Sequence, residues 1–127
     1  MGRQGTRRSH ALLAPPFGRP GPPFLPAEGE VYWVRTLLYS STDPAAKRPA
    51  VVLLVPALVS ARIQLVTRTS GSPLGVAHPA DDSLGLEVAG VFSDLVSVER
   101  SAWCPNNVCL CGQLGEPVWR LIQERFS

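Results

Sequence analysis

The chain has 127 residues, of which 45% are hydrophobic and 17% charged, with a formal net charge of +2. That length allows one domain of about 100 residues but not a second core. So small a charge does not by itself point to nucleic acid, and any basic function must come from local clustering.

Residues 1–26 hold six of the thirteen prolines, Pro15, Pro16, Pro20, Pro22, Pro23 and Pro26. Prolines this dense remove backbone donors and prevent regular ladders, so 1–26 reads as a disordered Pro/Arg-rich tail and 27–127 as the folded domain. The apolar stretch 11–14 that follows Arg7 and Arg8 is too short for a signal peptide and runs into Pro15 and Pro16. Residues 18–23 have the composition of an SH3 ligand, although a plain leader is the simpler reading.

After the tail, 31–38 is rich in Val, Tyr, Trp and Thr and predicts a first strand. Residues 40–47, with Asp43-Pro44, predict an exposed loop, and the continuous apolar run 50–55 a buried strand ended by Pro56. Segment 62–69 alternates: Ile63, Leu65, Thr67 and Thr69 on one face, Arg62, Gln64, Val66 and Arg68 on a second face expected to be wet and basic. A turn at 71–73, a short strand at 74–78, a polar loop at 79–83 and strands at 86–92 and 95–99 follow. Pro117 suits a first helical turn, and Val118, Leu121, Ile122 and Phe126 give an apolar helix face. Short strands closed by a terminal helix predict a mainly β fold, a small barrel. The longest apolar run, 49–59, contains Pro56 and falls well short of the ~20 residues that cross a bilayer.

Chemistry is narrowed by what is missing. Cys104, Cys109 and Cys111 crowd into eight positions, a poor disulfide framework that fits a reducing, cytoplasmic setting. With His78 they would offer four soft metal ligands, but zinc sites pair ligands about two to four residues apart. Cys109 and Cys111 point the same way from a strand and no second pair exists, so no metal or other cofactor is assigned. Only His10 and His78 are available for a hydrolase triad, the first in the tail, and neither a Gly-x-Ser-x-Gly elbow nor a phosphate-binding glycine loop is present. What remains is a set of cationic and hydroxyl groups at strand ends: Lys47 and Arg48 entering one strand, Thr67, Arg68, Thr69 and Ser70 leaving the next.

At these residues the chain resembles the PemK/MazF toxins. The matching pieces are Gly29-Glu30-Val31-Tyr32-Trp33-Val34, then Lys47-Arg48-Pro49-Ala50-Val51-Val52-Leu53, then Leu65-Val66-Thr67-Arg68-Thr69-Ser70. Gly90-Val91 with Ser93-Asp94-Leu95-Val96-Ser97-Val98-Glu99, and the terminal helix, complete the set. No single piece is specific; the ordered set, covering nearly everything outside the tail, is more so. The resemblance implies an SH3-like barrel that dimerises and cleaves single-stranded RNA without a metal, leaving a cyclic phosphate, until an acidic, partly disordered antitoxin covers it. It places the family's catalytic Arg on Arg48 and its catalytic Thr on Thr67. Two features depart from the family: the loop 40–47 is stiffer than the usual glycine-rich one, and Val96 stands where many members carry a basic residue.

Those residue types suit the reaction. Attack of a ribose 2′-hydroxyl on the adjacent phosphate builds charge on its equatorial oxygens, which a guanidinium fork binds in pairs while a Thr hydroxyl donates one more hydrogen bond. An Arg at its normal pKa is a poor proton donor, so Arg48 is read as an electrostatic clamp. Asp94 is read as a base or RNA contact, or alternatively as a turn-capping carboxylate at a strand start. Lys47, Arg35, Arg62, Arg68, Thr69 and Ser70 are candidates for an RNA track. Trp33, Trp103 and Trp119 are read as core or dimer packing before base stacking. Two rivals to a type II toxin endoribonuclease stay open: a catalytically inactive barrel that binds RNA or protein, and a toxin acting on a protein such as gyrase.

Overall fold

The computed structural model describes residues 17–127. The first sixteen residues of the expected tail, with the signal-like stretch and His10, lie outside the described residues. Six strands, β1 (Glu30–Arg35), β2 (Lys47–Leu54), β3 (Ile63–Thr69), β4 (Val76–His78), β5 (Gly90–Val98) and β6 (Val108–Gln113), precede one helix, α1 (Glu116–Phe126). They form a single antiparallel sheet of order β4-β5-β3-β2-β1-β6. Among the described residues the fold is mainly β, as expected, with one α-helix at the C-terminal end, and the sheet is not closed. The turn Asp82–Leu84 packs on β6 and α1 packs on β4, so the two edges are tied by side chains instead of a ladder.

Both faces of the sheet are covered, which explains the unbroken apolar run in β2. On one face Val31, Val51, Val66 and Phe92 pack with Leu84, Leu86 and Ile122. On the other, Tyr32, Val34, Ala50, Val52, Ile63, Leu65 and Val98 pack against Trp103, whose ring meets Tyr32 edge to face at 4.9 Å between centroids. Trp103 is therefore core. Helix α1 begins with Pro117 in its first turn and seats Val118, Trp119, Ile122 and Phe126 on the core, whereas Leu121 faces outward.

Three expectations change. The strands predicted at 86–92 and 95–99 are one strand, β5, which carries Ser93 and Asp94 through its middle; Leu86 instead bridges to Asp81. The first strand stops at Arg35, and Thr36–Leu38 turns as a 3-10 helix while the Thr36 hydroxyl donates to the Ala45 carbonyl at 2.6 Å. The second face of 62–69 is wet only at its start: Arg62 is exposed and Gln64 half-buried, but Val66 and Arg68 are buried, because β3 lies between β2 and β5.

Residues 17–26 carry no helix or strand, as their prolines require, yet they lie against the domain. Gly18 N donates to the Pro105 carbonyl at 2.8 Å and Phe24 N to the Trp103 carbonyl at 3.0 Å. Phe24 tilts on Tyr32, Pro26 is buried, and the Arg35 guanidinium sits 4.5 Å above the Phe17 ring. A truncation starting at Ala27 is expected to keep the circular dichroism of the full chain but to lose about 2 kcal/mol, roughly 10 °C in Tm. An unchanged melting curve would show that this segment contributes nothing.

Candidate functional site

The site forms where the β2–β3 ladder ends. Its pairs run Leu54–Gln64 through Val51–Val66 to Ala50–Thr67 and stop there, while on the other side β2 stays paired with β1 as far as Arg35–Lys47. Pro49 is the next β2 residue and has no N–H to donate. Beyond it Lys47 and Arg48 on β2 face Thr69 and Ser70 across an unlaced gap, spanned by Arg48 Nη1 at 3.5 Å from Thr69 Oγ1.

A cavity of about 400 Å³ opens there on the Trp103 face, lined by Tyr39, Asp43, Arg48, Thr67, Asp94 and Val96 among others. The apolar rows of that face become polar at this end. Ala50, Thr67 and Asp94 lie side by side across three strands, and the Thr67 hydroxyl, at the cavity wall, is 3.4 Å from the Asp94 carbonyl it donates to. Asp94 is exposed and sits mid-strand, so the turn-capping alternative does not apply. The structure thus brings together Arg48, Thr67, Asp94 and Thr69, which belong to three strands. A second cavity, of about 330 Å³, shares Arg48 and Thr69 and continues to Lys47, Ser70 and Trp33, where the Lys47 ammonium lies 5.6 Å from the indole centroid. A third shares Tyr39 and Val96 with the first and reaches Arg62.

Arg48 is not idle. Its Nε donates to Asp43 Oδ2 at 2.7 Å and its Nη2 to Asp43 Oδ1 at 2.8 Å, a two-pronged ion pair. The Arg48 hydrogen bonds hold the Asp43 carboxyl below the ordinary carboxylate range, and the Asp43 carboxylate raises Arg48 further. Arg48 accordingly stays charged. The loop is built to deliver Asp43: Ser40 Oγ accepts from the Thr42 and Asp43 amides, and Asp43 Oδ1 accepts from the Ala45 amide. The exposed loop read at 40–47 therefore carries a half-buried carboxylate onto the predicted catalytic residue.

Tyr39 is the other residue that sequence reasoning missed. Its hydroxyl is buried without a hydrogen-bond partner, and burial, with Asp43 close by, pushes its pKa up to about 12. It is a protonated donor at the cavity wall. Only its place one residue after the apolar pair Leu37-Leu38 marks it in sequence, and no motif carries it.

Arg68, an RNA-track candidate, lies on the opposite face of β3 from Thr67 and lines the second cavity. It is 5% exposed, donating from Nε to His78 Nδ1 at 2.9 Å and from Nη2 to the Val88 carbonyl at 2.7 Å, with the His78 and Pro79 carbonyls farther off. Gly90 leaves room for it, since a Cβ there would fall 2.8 Å from the guanidinium carbon. Of the other candidates, Arg35 donates to the Asn106 carbonyl at 2.8 Å, and Arg62 to Ser97 and Glu99 at the far end of β3. Among the described residues no three His, Cys, Asp or Glu side chains gather as a metal site.

His78, the last residue of the edge strand β4, is 3% exposed. Because Arg68 must donate to Nδ1, Nε2 carries the ring proton and donates to Asp81 Oδ2 at 3.2 Å. Burial, reinforced by Arg68, lowers the His78 pKa below its ordinary 6.5.

Compared with known proteins, the chain matches no family model and no curated protein.

The His78 pKa is lower folded than unfolded, so its contribution to stability is full above about pH 6.5 and is lost as pH falls below that value. Thermal melts from about pH 8 down to about pH 5 should show this falling branch, and His78→Gln should flatten it. An equal slope in both proteins would remove His78 as its source. Tyr39→Phe should leave Tm unchanged or raise it slightly, since it deletes a buried hydroxyl that has no partner.

Proposed function

We propose that the chain is a metal-independent endoribonuclease of the PemK/MazF kind, the toxin of a type II toxin-antitoxin pair. It would act in the cytoplasm as a homodimer on single-stranded RNA and be held in check by an acidic antitoxin. The observation that carries this reading is the convergence of Arg48, Thr67 and Asp94 from three strands into one cavity. The sheet, with its edges tied by α1 and the 82–84 turn, serves as an SH3-like barrel scaffold.

Each group has work suited to its chemistry. The Arg48 fork binds two nonbridging phosphate oxygens as charge builds on them, and Thr67 and Thr69 supply hydroxyl donors beside it. Asp94, an exposed carboxylate, accepts the 2′-hydroxyl proton during attack. The departing 5′-oxygen takes its proton from water, since the Tyr39 hydroxyl at the cavity wall is buried. The row of cavities sharing Arg48 and Thr69 on one side and Tyr39 and Val96 on the other suits a linear anion, with Lys47 and Arg62 at its two ends.

The test is incubation of the full chain with long single-stranded RNA in excess chelator. The expected result is cleavage to cyclic-phosphate ends, with Arg48→Ala slower by on the order of a hundredfold or more and Thr67→Ala also impaired. Intact RNA with a folded protein would sink the nuclease reading, and RNA bound but uncut would favour the inactive binding module.

A further inference from the structure

Among the described residues Arg48 is the only Lys or Arg that lines the first cavity, and in this structure its fork is filled by Asp43. The two carboxylate oxygens take the Nε and Nη2 protons that two phosphate oxygens would take, in the same planar arrangement. A phosphate and Asp43 therefore cannot hold that edge of the guanidinium together. The second Nη2 proton and the two Nη1 protons remain, with Nη1 turned toward Thr69 at 3.5 Å, so what Asp43 closes is the Nε–Nη2 edge.

The contact is organised by short-range chain geometry. Asp43 sits five residues before Arg48, on a loop whose Ser40 hydroxyl and Asp43 carboxylate cap neighbouring amides. The same loop begins with Tyr39, whose buried hydroxyl lacks a partner in this closed arrangement. The Arg48 and Asp43 side chains are 25% and 15% exposed, so water reaches the pair and it can open without unfolding the sheet.

We propose that Asp43 is an internal stand-in for the substrate phosphate, a latch on the 40–46 loop that closes the oxyanion site of Arg48 until a phosphodiester displaces it. The inference rests on the reading of Arg48 as the phosphate clamp. Displacement is a competition, so the apparent dissociation constant is the intrinsic one divided by the fraction of molecules with Arg48 unlatched. If the latch is closed in about nine molecules of ten, removing it tightens oxyanion binding about tenfold. The latch also works against bystander anions: a single monovalent anion must replace two charge-assisted bonds, whereas a polyanion held at Lys47 and Arg62 displaces Asp43 with help from both ends.

The test uses the full chain and two uncleavable probes, inorganic pyrophosphate and a short 2′-O-methyl single-stranded oligonucleotide. Asp43→Asn keeps the oxygen that accepts from Ala45 but removes the charge; Asp43→Ser serves as the second variant should the first fail to fold. Wild type, Asp43→Asn, Arg48→Ala and the double variant are compared by calorimetric titration, with melting curves alongside. Tightening of about tenfold for both probes in Asp43→Asn, absent from the double variant, is the expected result. A folded Asp43→Asn or Asp43→Ser that binds pyrophosphate no tighter than wild type overturns the latch and leaves Asp43 as a loop brace. Tightened pyrophosphate binding without oligonucleotide binding supports the latch while removing the RNA reading, so the two can fail separately.

Discussion

Pro49 sits where the β2–β3 ladder has just ended, and the rest of the site depends on that interruption. A residue with an N–H would extend the pairing beyond Ala50–Thr67 toward Arg48 and Thr69, drawing the strand ends together. Proline keeps β2 straight and fully paired with β1 while leaving its β3 side unlaced. Two cavities meet in that gap, with Arg48 and Thr69 as their common wall.

Two arginines on adjacent strands illustrate how position governs use. Arg68 is buried on the α1 face, where an unpaired guanidinium would be costly, and it is satisfied by one imidazole nitrogen and three carbonyls. Those bonds pin the 79–89 segment to β3. Arg48 lies at a water-reached edge with one detachable carboxylate as its main partner. Such a pair can open without unfolding the sheet, because water reaches it and replaces part of what the protein gives up. Only the second arrangement suits a group that must exchange partners.

The strands were legible wherever composition and period agreed. Segment 62–69 predicted β3 almost to the residue, and the apolar run at 50–55 marked the buried part of β2. Its alternation also separated Thr67 and Thr69 from Arg68, although burial of the second face required the neighbours on both sides. β5 was split in two because Ser93 and Asp94 look like a turn locally; paired with β3 through Thr67–Asp94, they stay extended. Arg48, Thr67 and Asp94 were reached through resemblance to a family, whereas Asp43 and Tyr39 belong to no motif and emerged only when the loop was seen against β2.

The sequence by itself determined which segments are extended, where proline interrupts pairing, and that the chain ends in an amphipathic helix, because these follow from backbone donors and apolar periodicity within a few residues. The tertiary structure alone decided which arginine is buried and which is presented, that residues 17–26 lie on Trp103, and that Asp43 closes on Arg48. Each of those outcomes depends on which strands become neighbours and on what covers each face. Such contacts join residues far apart in the chain, and no local pattern encodes them.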